Sequence, residues 1–383
     1  MTSRRHFLRT AALGGFAGAA SWFVPRAFAA DSNAAATRHS PNSLPANPDD
    51  GSAAGYRPAT KYGAGGTQAG NMFFETSDAT VEAMMQAHWD AGVRYFDTSP
   101  WYGLGLSERR VGHFLDGKPR GDYVLSSKVG RLLTPDASMD SHGIWAGDLN
   151  FNYRYDYTAA GVRRSVEDSL QRLGVPSLDM VFIHDLAPSN KDLDDYDAQL
   201  AIAIEGAMPE LTKMRDEGLI KGWGMGVNDI EPALAALEHA EPNVILQATR
   251  YTLMNHDDAL ERLFPVCEAQ DCSVVIGAPL GAGFLAGKDR WLYGDGIPDG
   301  YREKRARIES IAKAHGTDLR TAALQFTAAP AIVSATIPGA RNAQQARENA
   351  ASMRATIDPA FWQALKHEGL ISEAAPTALA GAA

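Results

Sequence analysis

Eight short apolar runs, most of them separated by stretches of helical periodicity, constrain the fold of this 383-residue chain more than any other feature. The runs end near Thr67, Asp97, Ser126, Ile183, Val227, Gln247, Ile276 and Thr336. Helical spacing of apolar residues covers Asp78 to Ala91, Leu106 to Leu115, a segment opening at Arg163, Ala207 to Glu217, Pro232 to His239 and Leu319 to Phe326. Apolar strands that alternate with helices pair in parallel, because the helices cover both faces of the sheet. Eight such units favour a closed barrel over an open sheet. An open dinucleotide-binding sheet needs Gly-x-Gly-x-x-Gly at its first strand-to-helix turn, and the turn after Tyr62 lacks it. The expected fold is α/β, a single-domain (β/α)8 TIM barrel over residues 56–372.

The ends read differently. Ser3-Arg4-Arg5-His6-Phe7-Leu8-Arg9, a moderately apolar run and Ala27-Phe28-Ala29 form a twin-arginine export signal with a small-residue cleavage site. The run between Arg9 and Arg26 is too short for a spanning helix, which needs roughly 20 apolar residues. Removing residues 1–29 takes away four arginines and no acids, and so brings the formal charge from −10 to −14. Such a protein is expected in the periplasm, with the export translocon as a partner. The Ala, Ser, Asn and Pro composition of 30–55 reads as a flexible linker, and 373–383 as a disordered tail. The acidic balance argues against a nucleic-acid partner. Cys267 and Cys272 suggest neither a disulfide framework nor a zinc site, and no metal site is expected.

Three of the apolar runs end on or just before an ionisable side chain: Asp97, with Tyr102 in the following loop; Lys128; and His184. A closed barrel gathers strand ends at one mouth, so these four would meet across almost ninety residues of sequence. Together they form a proton-transfer set suited to moving hydride to or from a carbonyl carbon. A phenol with an ordinary pKa near 10 is a poor acid and base near neutrality. Lys128 would favour the Tyr102 phenolate, Asp97 would hold Lys128 charged, and His184 would donate to the substrate oxygen. Taken singly, Lys128 also suits a structural salt bridge and His184 a core position. His88 reads as a helix-face residue.

The stretch Tyr95-Phe96-Asp97-Thr98-Ser99-Pro100-Trp101-Tyr102-Gly103-Leu104-Gly105-Leu106-Ser107-Glu108 closely resembles the aldo-keto reductase signature. Ser126-Ser127-Lys128-Val129-Gly130, Ile183-His184-Asp185 and Ile337-Pro338-Gly339-Ala340-Arg341 with Glu348-Asn349 resemble three further family motifs in family order. The resemblance implies a nicotinamide cofactor, NADP or NAD, and Tyr102 as general acid/base with Asp97, Lys128 and His184 in the roles above. It implies Asn228 and Gln247 at the nicotinamide carboxamide. Gly339, Arg341, Gln345, Glu348 and Asn349 fall at the adenosine phosphate, and Gly66, Thr67, Pro279, Leu280 and Gly281 in cofactor-lining loops.

Three departures stand out. No aromatic ring occupies Ile276 to Gly281, where many relatives stack a tyrosine on the nicotinamide; Val227 replaces a frequent serine; and Gln345 replaces an arginine used for the 2′-phosphate, with Arg341 as its substitute. The segment Asp156 to Leu170, with Gly103 to Glu108 and Gly226-Val227-Asn228, resembles the branch that contains aldose 1-dehydrogenases and pyridoxal 4-dehydrogenases. That implies oxidation of a cyclic hemiacetal to a lactone, with Trp101 lining the substrate pocket. The connection from Arg131 to Tyr157, with Trp145, Phe151, Tyr153 and Tyr155, either walls a sugar pocket or pins a long loop. A broad aldehyde/ketone reductase and a non-catalytic ligand-binding or interaction module remain as alternatives.

Overall fold

The computed structural model describes residues 43–48, 55–294, 296–377 and 379. In chain order the elements are β1 (Ala64–Gly65), α1 (Asp78–Asp90), β2 (Tyr95–Asp97), α2 (Leu106–Leu115), β3 (Val124–Val129), β4 (Arg131–Pro135), β5 (Phe151–Tyr155), α3 (Ala159–Leu173), β6 (Met180–His184), α4 (Tyr196–Ile202) and α5 (Met208–Asp216). They continue through β7 (Gly222–Val227), α6 (Glu231–His239), β8 (Val244–Ala248), α7 (Phe264–Ala269), β9 (Ser273–Gly277), α8 (Tyr301–Ala314), α9 (Leu319–Ala328), β10 (Val333–Ile337), α10 (Ala343–Arg354) and α11 (Pro359–His367).

Eight parallel strands run in the order β1-β2-β3-β6-β7-β8-β9-β10. Gly63 N to Thr336 O at 3.0 Å and Gly65 N to Pro338 O at 3.1 Å join the first to the last. The (β/α)8 barrel is closed by these bonds, as the alternation of strand and helix implied.

Side-chain parity decides what faces the barrel axis. In β6, Met180 and Phe182 pack inside with Tyr95, Val244, Leu246 and Val275, whereas Val181 and Ile183 pack outward among the helices. Outward contacts from Leu125 and Val129 in β3, and from Phe96 in β2, fix the same alternation there. The surrounding helices are started by side-chain caps: Ser77 on α1, Thr158 on α3, Asp318 on α9 and Asn342 on α10 accept from backbone N–H groups of the first turn.

Several boundaries differ from expectation. The third strand runs on to Val129, so Lys128 lies within it rather than beyond its end. The helix read from Ala207 begins at Tyr196, because a π turn over Ala203–Ala207 carries α4 into α5. Residues 43–48, assigned to a linker, are packed: Leu44 is buried, and the Asn47 amide donates to Pro58 O at 2.8 Å and Ser334 O at 2.7 Å. The tail is likewise packed as far as Ala375, which is buried. Ser372 N, just before it, donates to His256 Nε2 at 3.0 Å. The expected export signal, residues 1–29, falls outside the described residues.

Candidate active site

Asp97, Lys128 and His184 all fall on the inward parity of their strands, as Tyr95, Ser126 and Phe182 do. Register places β2, β3 and β6 side by side, with Asp97 opposite Ser126 and Lys128 opposite Phe182. The Lys128 ammonium donates to both carboxylate oxygens of Asp97 and to the carbonyl of Thr98, each at 2.8 Å. Ser126 Oγ adds a donor to Asp97 Oδ1 at 2.7 Å. Lys128 and Asp97 are each 2% exposed, so the pair is desolvated and its geometry fully bonded.

Tyr102 hangs in the loop after β2, held by its backbone N–H on Ser99 O at 3.1 Å and its carbonyl on Ser107 N at 3.1 Å. The backbone of Gly70 lies so close that an added Cβ would meet the Tyr102 carbonyl carbon at 2.5 Å. Lys128 Nζ sits 4.6 Å from the centre of the Tyr102 ring, and the His184 ring stands edge-on to it at 6.0 Å. Burial pushes the Tyr102 phenol well above its ordinary value, and the Asp97 carboxylate adds to the rise. The expected acidification by Lys128 is therefore not met here: the ammonium's hydrogens go to Asp97 and Thr98, and Asp97 offsets its charge. Burial holds the Lys128 amine below its ordinary value, with Asp97 opposing the fall. His184 is pushed down to about 3, chiefly by burial, and is a neutral imidazole at neutral pH.

Beside this group opens a cavity of about 430 Å³, lined by Asp97, Tyr102, Gly277–Leu280 and Pro338–Gly339 among others. Its outer wall carries Lys288, Arg290, Arg320 and Arg341, a set of cations suited to phosphates. Gln68, also on the wall, has a buried side-chain oxygen with no partner.

Residues 61–367 match the family model described as the Aldo/keto reductase family. The chain belongs to that family. As an aldo/keto reductase it is 35% identical over 324 residues to D-threo-aldose 1-dehydrogenase of Pseudomonas sp, covering 82% of this chain and 94% of that one. It is 34% identical over 330 residues to pyridoxal 4-dehydrogenase of Microbacterium luteolum, covering 82% and 95%. The fold matches an aldo-keto reductase from Bacillus halodurans in its holo form with a TM-score of 0.64 at 20% identity, over 88% of this chain and 99% of that one. An aldo-keto reductase from Klebsiella pneumoniae in complex with NADPH superposes with a TM-score of 0.58 at 22% identity, over 82% and 92%.

Within this aldo/keto reductase, Thr67, Pro279, Leu280, Gly339, Arg341, Gln345 and Asn349 lie on the cavity wall. The other expected cofactor residues do not. Gly66 is pressed against β2, where a Cβ would meet Asp97 O at 2.4 Å, and its carbonyl accepts from Ser107 Oγ at 2.8 Å. Gly281 turns with φ 57° against Trp291. Glu348 pairs with Arg320. Gln247 shares the outward parity of Ile245; its Nε2 donates to Asn228 O at 2.9 Å and its buried Oε1 has no partner. Gln345 accepts from Arg341 N at 2.9 Å.

Sequence reading missed Gln68, Arg290, Tyr293 and Arg320 on the cavity, and Arg131 beside His184. The first four sit in loops or on a helix with no motif to mark them. Arg131, directly after Ser126 to Gly130, was legible by position. The segment from Arg131 to Tyr157 is a hairpin, β4 with β5 antiparallel. Its aromatic residues pack around Trp101, which meets Tyr153 at 4.9 Å and buried Trp145 at 5.7 Å; neither Trp101, expected to line the substrate pocket, nor these rings lie on the cavity wall.

Proposed function

We infer that this oxidoreductase moves hydride between a nicotinamide dinucleotide and a carbonyl or hemiacetal carbon, and that its substrate is an aldose oxidised to the lactone. The carrying observation is Tyr102, set between Lys128 bound to Asp97 and a neutral His184, on the wall of a cavity that ends in cations. The unpartnered oxygen of Gln68 and the cationic wall fit a ligand with amide donors and phosphates. Arg341, Arg290 and Arg320, all on the cavity wall, would hold phosphates. When bound, oxidised nicotinamide would supply the hydride acceptor and a positive charge.

Tyr102 transfers the proton at the substrate oxygen, and His184 donates to the same oxygen and sets its angle. Lys128, fixed by Asp97, holds the floor against the phenol ring. Trp101 and Tyr153 present aromatic faces and edges at the mouth, which pack on the C–H surface of a sugar ring. The D-threo-aldose 1-dehydrogenase relative supports this substrate class. The pattern from Ser3 to Ala29 supports export to the periplasm by the twin-arginine route, with the folded enzyme carrying its cofactor. Purified protein mixed with NADP+ or NAD+ and L-fucose tests the reading. Lactone appearance with matching reduction of nicotinamide supports it; turnover of simple aldehydes alone would make it a broad reductase, and binding of no dinucleotide would leave only a ligand-binding module.

A further inference from the structure

Arg131 is 4% exposed at the mouth of a barrel, and the proton-transfer roles above leave it unused. It opens β4 directly after Gly130, whose φ of 110° turns the chain out of the barrel wall. A Cβ at Gly130 would meet Tyr157 Cε1 at 2.3 Å, so that turn depends on glycine. The guanidinium is then held on several sides. Nη1 donates to Asp185 Oδ2 at 2.9 Å and Nη2 to Tyr155 OH at 2.6 Å. The rings of Trp101 and Tyr155 lie 4.3 and 4.7 Å from its centre. A lysine at this position would supply the charge without the planar fork that reaches several partners at once.

The same Nη1 lies 3.4 Å from His184 Nδ1. A guanidinium only donates, so the Nδ1 it faces must be the bare, accepting nitrogen, and the imidazole hydrogen must sit on Nε2. Ser99 Oγ, 3.2 Å from the same Nδ1, accepts from Trp101 N at 3.1 Å and keeps its own hydrogen for the imidazole. Nε2 lies 3.4 Å from Asp185 Oδ1, long enough for a substrate oxygen to take the hydrogen over. We propose that Arg131 is a positioning residue that fixes His184 as the neutral Nε2–H tautomer, the form able to donate to the substrate oxygen. The proposal rests on the role given to His184 above.

The charges around the ring agree with this. Arg131 on β4 and Lys128 on β3 disfavour the imidazolium, Asp185 favours it, and burial outweighs them all. Ser99 and the Tyr102 ring, from the loop after β2, complete the surroundings. Without Arg131, Asp185 is left unpaired beside His184, and both the imidazolium and the Nδ1–H tautomer become accessible.

Nitrogen NMR of the full-length protein with isotope-labelled histidine, assigned by loss of one signal in His184→Asn, reads the tautomer without reference to turnover. The wild type should show a bare Nδ1 and a protonated Nε2 from about pH 5 to about pH 8. Arg131→Met should shift His184 toward imidazolium or the Nδ1–H form. It should lower kcat roughly 10- to 100-fold, with a new loss of activity on the acid side and unchanged dinucleotide Kd. Arg131→Lys should keep the ring neutral and recover part of the rate. A protonated Nδ1 in the wild type would overturn the proposal. So would Arg131→Met that changes only the Tm and leaves the tautomer and pH profile as they were. If Arg131→Met does not fold, the wild type and Arg131→Lys decide. A wild type inert toward aldoses and aldehydes would sink the functional reading while the spectrum still decided this one.

Discussion

Lys128 meets Tyr102 through the face of the phenol ring, 4.6 Å from its centre, while its hydrogen bonds go to Asp97 and Thr98. The ammonium therefore supports the ring and offers nothing directly to the hydroxyl. A protonated phenol beside a neutral imidazole is set to give a proton in the reductive direction. Oxidation needs the phenolate, which the positive charge of an oxidised nicotinamide would favour once bound.

Replacing Tyr102 with Phe removes the proton carrier and little else. Turnover should fall about 10²- to 10⁴-fold while dinucleotide affinity stays within a factor of about two. Steady-state kinetics and a fluorescence titration on the same preparation check both halves.

Asp97 raises the Tyr102 phenol. Asp97→Asn removes that negative charge and leaves the Lys128 charge less offset, so phenolate forms at lower pH. The base-dependent limb of the oxidative pH–rate profile should move down by about one unit or more. Lys128→Met should move it up. That variant leaves a buried carboxylate unpaired and should cost on the order of 3–5 kcal/mol of stability, read as a drop in the denaturant midpoint.

Burial depresses both His184, to about 3, and His88, to about 4. Each is neutral in the fold, and each takes up a proton in the unfolded chain below its ordinary value of 6.5. The unfolded state then binds more protons, so the stability they confer is full above that value and declines as pH falls toward the depressed ones. At about pH 5 the loss should be roughly 2 kcal/mol per histidine. The Tm of His88→Leu, measured from about pH 7 down to about pH 5, should fall less steeply than that of the wild type.

Arg341 lies on the cavity wall with its guanidinium 3.8 Å from the centre of the Phe74 ring. Beside it, Gln345 is committed to the Arg341 backbone, which leaves the arginine as the nearer cation for a 2′-phosphate. Arg341→Ala should weaken NADP+ roughly 10-fold or more and NAD+ far less, since a charge-assisted contact is lost from only one of them. Paired titrations of the two dinucleotides give the ratio.

Replacing Arg4 and Arg5 by lysine should hold the full-length protein in the cytoplasm if Ser3 to Arg9 is an export signal. Cell fractionation with an immunoblot reads the outcome; unchanged periplasmic recovery would contradict it.

The barrel was legible because apolar runs and helical spacing are local signals, and because parity carries Asp97, Lys128 and His184 to one mouth once strands pair in parallel. The hairpin β4–β5 was not, since its two strands are separated by a 15-residue loop between Pro135 and Phe151. α8 was missed because few of its residues are buried, only Ile308 and Ala312, so no apolar stripe marks it. The electrostatics were the least legible part. Sequence placed a lysine near a tyrosine, but only the three acceptors around Nζ show that its charge is already offset. Gln247 and Glu348 matched motifs by type, yet the structure turns one to the outward side of β8 and ties the other to Arg320.

The most direct test is deuterium transfer from C1-labelled L-fucose with oxidised dinucleotide, followed in the wild type and in Tyr102→Phe. Deuterium at the nicotinamide ring, lactone in equal amount, and loss of both in the variant are expected. Lactone without label in the nicotinamide, or a variant that turns over as fast as the wild type, would contradict hydride transfer under the control of Tyr102.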